Sequence, residues 1–156
     1  MPMFDLLNKI RANEKGDTIV EFAAAVPLML LLFIGFAELG RAFLQANAIE
    51  KGMRAGAVYA ARIDNPTEIA SKTVIENLVK TGTLDGSGAY LASGWANSSS
   101  SLDVAQSYYN LNGDNVPVIR LSASVQFDPI LPGLLDVIGM AGFSINLSHE
   151  QAYVDH

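Results

Sequence analysis

The chain contains no cysteine and only two histidines, and these shortages exclude several kinds of site. Without cysteine there is no disulfide framework, no thiolate zinc site and no thiol nucleophile. The two histidines, His149 and His156, lie in the last eight residues, where we expect a strand end and an exposed tail rather than a metal pair. An exported domain of this composition has to be stabilised by packing or by its neighbours.

Basic residues are also scarce, with 10 Lys and Arg against 16 acidic residues and a net charge of -6. A nucleic-acid partner needs a basic face that displaces counterions, so we expect no nucleic-acid binding. The sequence also lacks a Gly-rich phosphate loop with a Lys, a nucleophile elbow and a metal-spaced His pair. Ser148, His149 and Glu150 are adjacent along a strand and so point to alternating faces. We therefore predict neither an enzyme nor a cofactor or metal site.

An apolar stretch near the N-terminus is what the sequence does have. It runs from Ile19 to Ala37 with Glu21 as its one charged residue. Nineteen residues at the helical rise cover about 28 Å, close to a hydrocarbon core of about 30 Å. Such a segment must be helical, because no water is present to satisfy its backbone. Basic residues before it and acidic residues soon after it favour a cytoplasmic N-terminus. Pro27 lies inside the stretch and is predicted to kink the helix.

Three interpretations of this stretch are open. The first is a cleavable secretory signal with a small-residue site at Ala46-Asn47-Ala48, although the run exceeds the usual apolar region of such signals, and Glu38 and Arg41 intervene. The second is an ordinary signal anchor, in which Glu21 has no special role. The third takes the seven residues from Gly16 to Phe22 as one functional unit.

That unit resembles the cleavage site of type IV prepilins, in which Gly is followed by four residues, a Glu and a long apolar helix. The resemblance implies a cut between Gly16 and Asp17, which releases an α-amine one helical turn from Glu21. An unpaired carboxylate is costly in hydrocarbon. The resemblance implies that Glu21, followed by the aromatic Phe22, pairs with the free N-terminus of an adjacent subunit.

A longer pattern runs through Val20, Glu21, Phe22, Ala23, Pro27, Glu38, Leu39, Gly40 and Arg41. With these residues the chain resembles, over residues 16–62, the TadE-like family, the minor pseudopilins of the tight-adherence (Flp) type IV pilus. The stretch Met53–Val58 lacks the second Arg of the family's usual Ala-Arg-x-Gly-Ala-Arg pattern, and Val125–Gly139 is similar to its strand followed by a Pro-containing loop. The segment 47–62 is similar to the small-residue helix of the family.

The resemblance implies a minor pilin or pseudopilin in pilus assembly or structure. Its implied partners are a prepilin peptidase, other pilin subunits, the inner-membrane assembly platform and membrane lipid. It places the chain in the bacterial inner membrane as a single-pass protein with a periplasmic C-terminal domain, or outside the cell within the pilus. The alternative function is a membrane-anchored envelope binding module that is not assembled into a fibre.

With the resemblance, we expect the chain to divide into a prepilin leader (1–16), a transmembrane and assembly helix (17–62) and a small extracytoplasmic α+β domain (63–156). The helix is extended to residue 62 because apolar residues continue at helical spacing, namely Leu39, Phe43, Ala46, Met53, Ala57 and Ala60. Gly52 and Gly56 would let another backbone approach closely. Asn65 and Pro66 predict the cap and first residue of a short second helix, and Gly82 predicts its end.

The remaining residues predict a pilin-like antiparallel sheet of about three strands. Asn112-Gly113 is typical of a tight hairpin turn. Two half-buried strands follow from alternation, one through Ile119, Leu121, Ala123, Val125 and Phe127 and one through Phe143, Ile145 and Leu147. Between them, the apolar connector 129–142 is expected to cover the sheet, touch the outer leaflet or meet the next subunit. Trp95 is predicted to pack onto the body, with an adhesive contact as the alternative.

Overall fold

The computed structural model of the chain describes residues 14–133 and 142–153, and for residues 14–17 it describes the backbone alone. Within these ranges lie two α-helices, one short 3-10 helix and three strands. The chain divides into two compact units, Met1–Leu39 and Gly40–His156. Most of the leader, the larger part of the apolar connector (134–141) and His156 lie outside the described residues.

The first helix, α1, spans Glu14–Ala60 and contains 47 residues. It passes through Pro27 and ends two residues before the predicted boundary at residue 62. From Thr18 onward it is long and apolar enough to cross a membrane, and 0% of its most apolar 18-residue window is buried. The long N-terminal helix expected from the sequence is therefore confirmed.

The last turns of α1 contribute one face to the hydrophobic core of the second unit. Ile49, Met53, Ala57 and Ala60 are all buried, at helical spacing. Two members of the predicted stripe do not belong to this core, because Leu39 is 54% exposed and Phe43 is 63% exposed. Helical spacing identifies a face of the helix but not the position along its axis at which packing begins.

The second helix, α2, spans Ile69–Thr81 and ends as predicted at Gly82, which has a left-handed backbone with φ of 76°. Its predicted start is wrong, since the residue before the first turn is Glu68. The Glu68 amide instead donates to the Asn65 carbonyl at 3.2 Å, which closes a turn through Pro66. Asn followed by Pro suits the first two positions of a β-turn as well as a helix start, and here the turn is formed.

Three antiparallel strands form the sheet in the order β1-β2-β3. They are β1 (Ser101–Leu111), β2 (Asp114–Gln126) and β3 (Ser144–Ala152). The predicted hairpin turn is present: Asn112 and Gly113 have φ of 54° and 101°, as a two-residue turn with primed geometry requires. Strand β2 buries the alternate side chains of its predicted apolar face, from Ile119 to Val125.

The core of the second unit joins the two helices to one face of this sheet. A side chain added at Gly56 would touch Leu121 of β2 and Ile75 of α2, at 3.3 and 3.5 Å. At Gly52 an added Cβ would collide with the Val79 carbonyl oxygen of α2. The close approach predicted for these two glycines therefore occurs within the chain, between α1 and α2.

Trp95 lies in the 3-10 helix Ser93–Ala96 and is 3% exposed. Lys80 of α2 places its Nζ 5.4 Å from the centre of the indole ring, within the range of a cation–π contact. The predicted packing of Trp95 onto the body is confirmed, and the alternative of an exposed adhesive contact is wrong.

Candidate functional site

The sequence-predicted site residues all lie in the first turns of α1. Gly16 and Asp17 belong to the described helical backbone, and side chains are described from Thr18 onward. Asp17 and Glu21 are four residues apart in this helix, so they share one face and are separated by about 6 Å along the axis. A free amine created at Asp17 would therefore lie one turn from the exposed carboxylate of Glu21.

Phe22 continues this segment with a side chain that is 68% exposed. Apolar side chains surround the helix on every side between Leu28 and Phe33. These are six consecutive large apolar residues, and at 100° per residue their side chains point in all directions around the helix axis. The exposed set is Ile19, Val20, Phe22, Leu28, Met29, Leu30, Leu31, Leu32, Phe33 and Phe36. A helix that is apolar all round needs lipid or protein around it.

Pro27 lies inside α1, nine residues before Phe36. Proline removes one backbone donor and crowds the carbonyl four residues earlier. The kink predicted at Pro27 stays a prediction, as do the cleavage at Gly16 and the pairing of Glu21.

A second group of polar contacts, which the sequence did not predict, joins α1 to the segment after β2. Arg41 donates from Nη2 to the Asp128 carbonyl oxygen at 2.9 Å, and Gln45 donates from Nε2 to the same oxygen at 3.3 Å. Gln45 also donates to the Ser93 hydroxyl at 3.2 Å. Arg41 and Gln45 are four residues apart and so lie on one face of the helix. This spacing is the only feature of the local sequence that indicates that they share a partner.

The outer face of the sheet carries a charged cluster that the sequence also left unassigned. Glu150 of β3 lies opposite Arg120 of β2 and accepts from its Nε at 2.5 Å. Tyr109 of β1 donates its hydroxyl to the other oxygen of Glu150 at 2.6 Å. These hydrogen bonds, from Tyr109 first and then from Arg120, hold the pKa of Glu150 below its ordinary value. The same contact raises the pKa of the Tyr109 hydroxyl.

This cluster is an ion pair with a phenol donor, and it lacks the arrangement of a catalytic site. Glu150 is satisfied by two donors and its lowered pKa keeps it ionised, so it is a poor general base. Among the residues that the structure describes, there is no group of three or more His, Cys, Asp or Glu that could hold a metal ion.

These features together define a class: an α+β chain with a pilin-like architecture and an N-terminal apolar helix suited to anchoring it in a membrane. In a direct comparison, residues 16–58 of the chain match the model of the TadE-like protein family. Over this segment the chain is similar to TadE-like proteins. Comparisons with curated proteins and with solved structures gave no match.

Proposed function

We propose that the chain is a minor pilin or pseudopilin of a tight-adherence pilus, cut by a prepilin peptidase between Gly16 and Asp17. The observation that carries this proposal is the position of Gly16 and Glu21 at the head of an exposed apolar helix, inside the segment that matches the TadE-like family. In this proposal residues 1–16 are the leader, 17–62 the membrane and assembly helix, and 63–156 the periplasmic domain.

The backbone around the cut supports this role. Gly16 and Asp17 lie in the first described turn of α1. Glycine costs a helix about 1 kcal/mol relative to alanine. Gly16 therefore lowers the cost of opening the helix at this point, and a peptidase needs an opened backbone to reach the bond after Gly16.

Glu21 then has two states in the proposed cycle. Before assembly its carboxylate lies in or beside the hydrocarbon, where a charge is unfavourable. After assembly it pairs with the α-amine of Asp17 on a neighbouring subunit, which stabilises the assembled state. The partners in this cycle are the peptidase, other pilin subunits and the inner-membrane platform.

The mature N-terminus tests this proposal in one measurement. Mass spectrometry of the protein recovered from cell envelopes is expected to find Asp17 as the first residue. The variant Gly16→Val should retain the leader, whereas Gly35→Val, a glycine of the same helix with no atom within 4 Å of an added Cβ, should be cut normally.

Each competing function gives a different N-terminus. A protein that still carries Met1 or Pro2 would be an uncut anchor, as an envelope binding module requires. A start near Ile49 would indicate a secreted protein whose signal is removed at Ala48. Either result contradicts the proposed processing.

A further inference from the structure

The turn between β1 and β2 contains an asparagine followed by a glycine, a pair that suits the hairpin and is also chemically reactive. Asn112 and Gly113 have φ of 54° and 101°, and both residues are exposed. Among the described residues, nothing lies within 4 Å of a Cβ built at Gly113. Because glycine has no side chain of its own, its amide nitrogen is open to the preceding asparagine side chain and to water.

The reaction open to this pair is a ring closure within the chain. The Gly113 nitrogen loses its hydrogen and attacks Cγ of Asn112. A bond forms between that nitrogen and Cγ, the bond from Cγ to Nδ2 breaks, and the side-chain nitrogen leaves as ammonia, which carries the amide hydrogen. Water then opens the cyclic imide at one of its two carbonyl carbons. Opening at Cγ gives aspartate, and opening at the backbone carbonyl gives isoaspartate, in which the chain continues through the side chain.

One contact of the turn opposes this ring closure. The Gly113 amide donates to Oδ1 of Asn110 at 3.1 Å. Asn110 pairs with Asn115 across the two strands, and its Nδ2 donates to Oδ1 of Asn115 at 3.3 Å, which leaves its own Oδ1 facing the turn as an acceptor. A hydrogen bond to the neutral amide disfavours the loss of the amide hydrogen, and it fixes the plane of the peptide group. Asn110 therefore holds the attacking nitrogen in an unreactive state.

We propose that Asn112 is a site of spontaneous deamidation and that Asn110 is the positioning residue that sets its rate in the folded chain. The reaction proceeds when the end of the hairpin opens and the bond from Gly113 to Asn110 is lost. The product has one more negative charge beside Asp114, and its isoaspartate form lengthens the backbone of a turn that is built for two residues. The end of the hairpin is then a part of the second unit that changes with the age of the protein. This inference does not depend on the proposed function.

Ageing of the full chain in detergent micelles tests the assignment, at mildly alkaline pH because alkali favours the deprotonated amide. Protease digestion and mass spectrometry follow the exchange of the Asn112 amide for an acid, and chromatography of the peptides separates aspartate from isoaspartate. Parallel samples in concentrated guanidinium chloride give the rate in the unfolded chain, where the contact with Asn110 is absent. Asn146 lies within β3 and precedes Leu147, so it is the internal reference for a paired asparagine with a bulky neighbour.

The expected result is slow modification of Asn112 in the folded chain and faster modification in the unfolded chain. Asn110→Ala and Asn110→Val both remove the acceptor, and both should accelerate the folded-state reaction by about two- to tenfold, the factor that corresponds to one hydrogen bond of ordinary net strength. Valine suits a strand, so a weakened hairpin would not explain an acceleration in both variants. If alanine at this position prevents folding, as circular dichroism would reveal, the valine variant alone supplies the measurement.

Asn110→Asp is the matched control. It keeps an acceptor oxygen for the Gly113 amide but loses the donor to Asn115, so it should react as slowly as the unsubstituted chain. In denaturant all of these chains should react at a similar rate. An intact Asn112 in the unfolded chain would overturn the proposed site. Equal rates in the folded and unfolded chains, or equal folded-state rates in the alanine, valine and aspartate variants, would overturn the role of Asn110.

Discussion

Glu150 connects all three strands of the sheet through its two carboxylate oxygens. Arg120 on the central strand and Tyr109 on the far strand both donate to it. The pKa of the carboxyl group lies below its ordinary value of 4.5 because both donors stabilise its charged form. An acidic group whose pKa is lowered in the folded state stabilises the fold at pH values above the group's ordinary pKa. That stability is lost as the pH falls through the folded-state pKa.

We therefore predict that Glu150→Gln makes the fold less sensitive to acid. The neutral side chain does not take up a proton, so the melting temperature of the variant should fall less between neutral pH and pH below about 4.5 than that of the unmodified protein. The measurement is thermal unfolding followed by circular dichroism across this range. Tyr109→Phe, which removes the donor with the larger effect on the pKa, should reduce the acid sensitivity in the same direction.

Tyr108→Phe is the matched control, because Tyr108 is the neighbouring residue of β1 and points to the other face of the sheet. Its acid sensitivity should equal that of the unmodified protein. If the Glu150→Gln variant and the unmodified chain lost the same stability on acidification, the ionisation of Glu150 would not be what makes the fold sensitive to acid.

At the level of the elements, the contact between α1 and α2 depends on two small residues in α1. Gly52 and Gly56 leave the space that the Val79 carbonyl and side chain occupy. Helix axes usually lie 8–10 Å apart, with the distance set by the side chains at the contact. Because glycine has no side chain, the backbone of α1 can approach the backbone of α2 closely at both positions.

We predict that Gly52→Ala destabilises the second unit by about 1–3 kcal/mol, the usual cost of overpacking. The added methyl would meet a backbone carbonyl, which cannot rotate away as a side chain could. In Gly40→Ala the new methyl meets nothing within 4 Å, so helix propensity should raise stability by up to about 1 kcal/mol. Chemical unfolding in detergent micelles measures both variants. If Gly52→Ala proved as stable as Gly40→Ala, the close approach of the helices would be wrong.

In the whole molecule, the apolar helix and the folded second unit differ in where their apolar side chains are buried. The helix buries 0% of its most apolar window within the chain, so its environment has to come from lipid or other subunits. The second unit has its own core, in which Ile49, Ile75, Ile119, Leu121 and Val125 are fully buried. The exposed helix is therefore the part of the chain on which the proposed assembly would act, and Glu21 is the one charge in its apolar run.

We predict that replacement of Glu21 impairs pilus assembly while leaving cleavage intact. Glu21→Ala removes the carboxylate, and Glu21→Gln keeps its shape without the charge. Both variants should show Asp17 as their first residue by mass spectrometry but yield far fewer sheared pili in quantitative blots. Glu68→Gln, a change at an exposed glutamate of the second unit, should assemble normally. Normal pilus yield from Glu21→Gln would rule out pairing through charge.

Several features of this protein followed from the sequence alone because their signals are local. The apolar run predicted the long helix, Asn112-Gly113 predicted the hairpin, and the alternation around Leu121 predicted the central strand. Each signal lies within one helix, one two-residue turn or one strand, where backbone geometry and side-chain period decide the outcome. The prepilin-like spacing from Gly16 to Glu21 is local in the same sense.

Other features were decided only by the tertiary structure. Arg41 and Asp128 are 87 residues apart in the chain, and no local pattern indicates that they meet. Ile49, rather than Leu39 or Phe43, enters the core because the sheet and α2 determine where along α1 packing starts. The burial of Trp95 likewise depends on partners elsewhere in the fold. The sequence determined which segments are helical, extended or apolar, whereas the fold decided which of their faces are covered, because burial depends on partners distant in the chain.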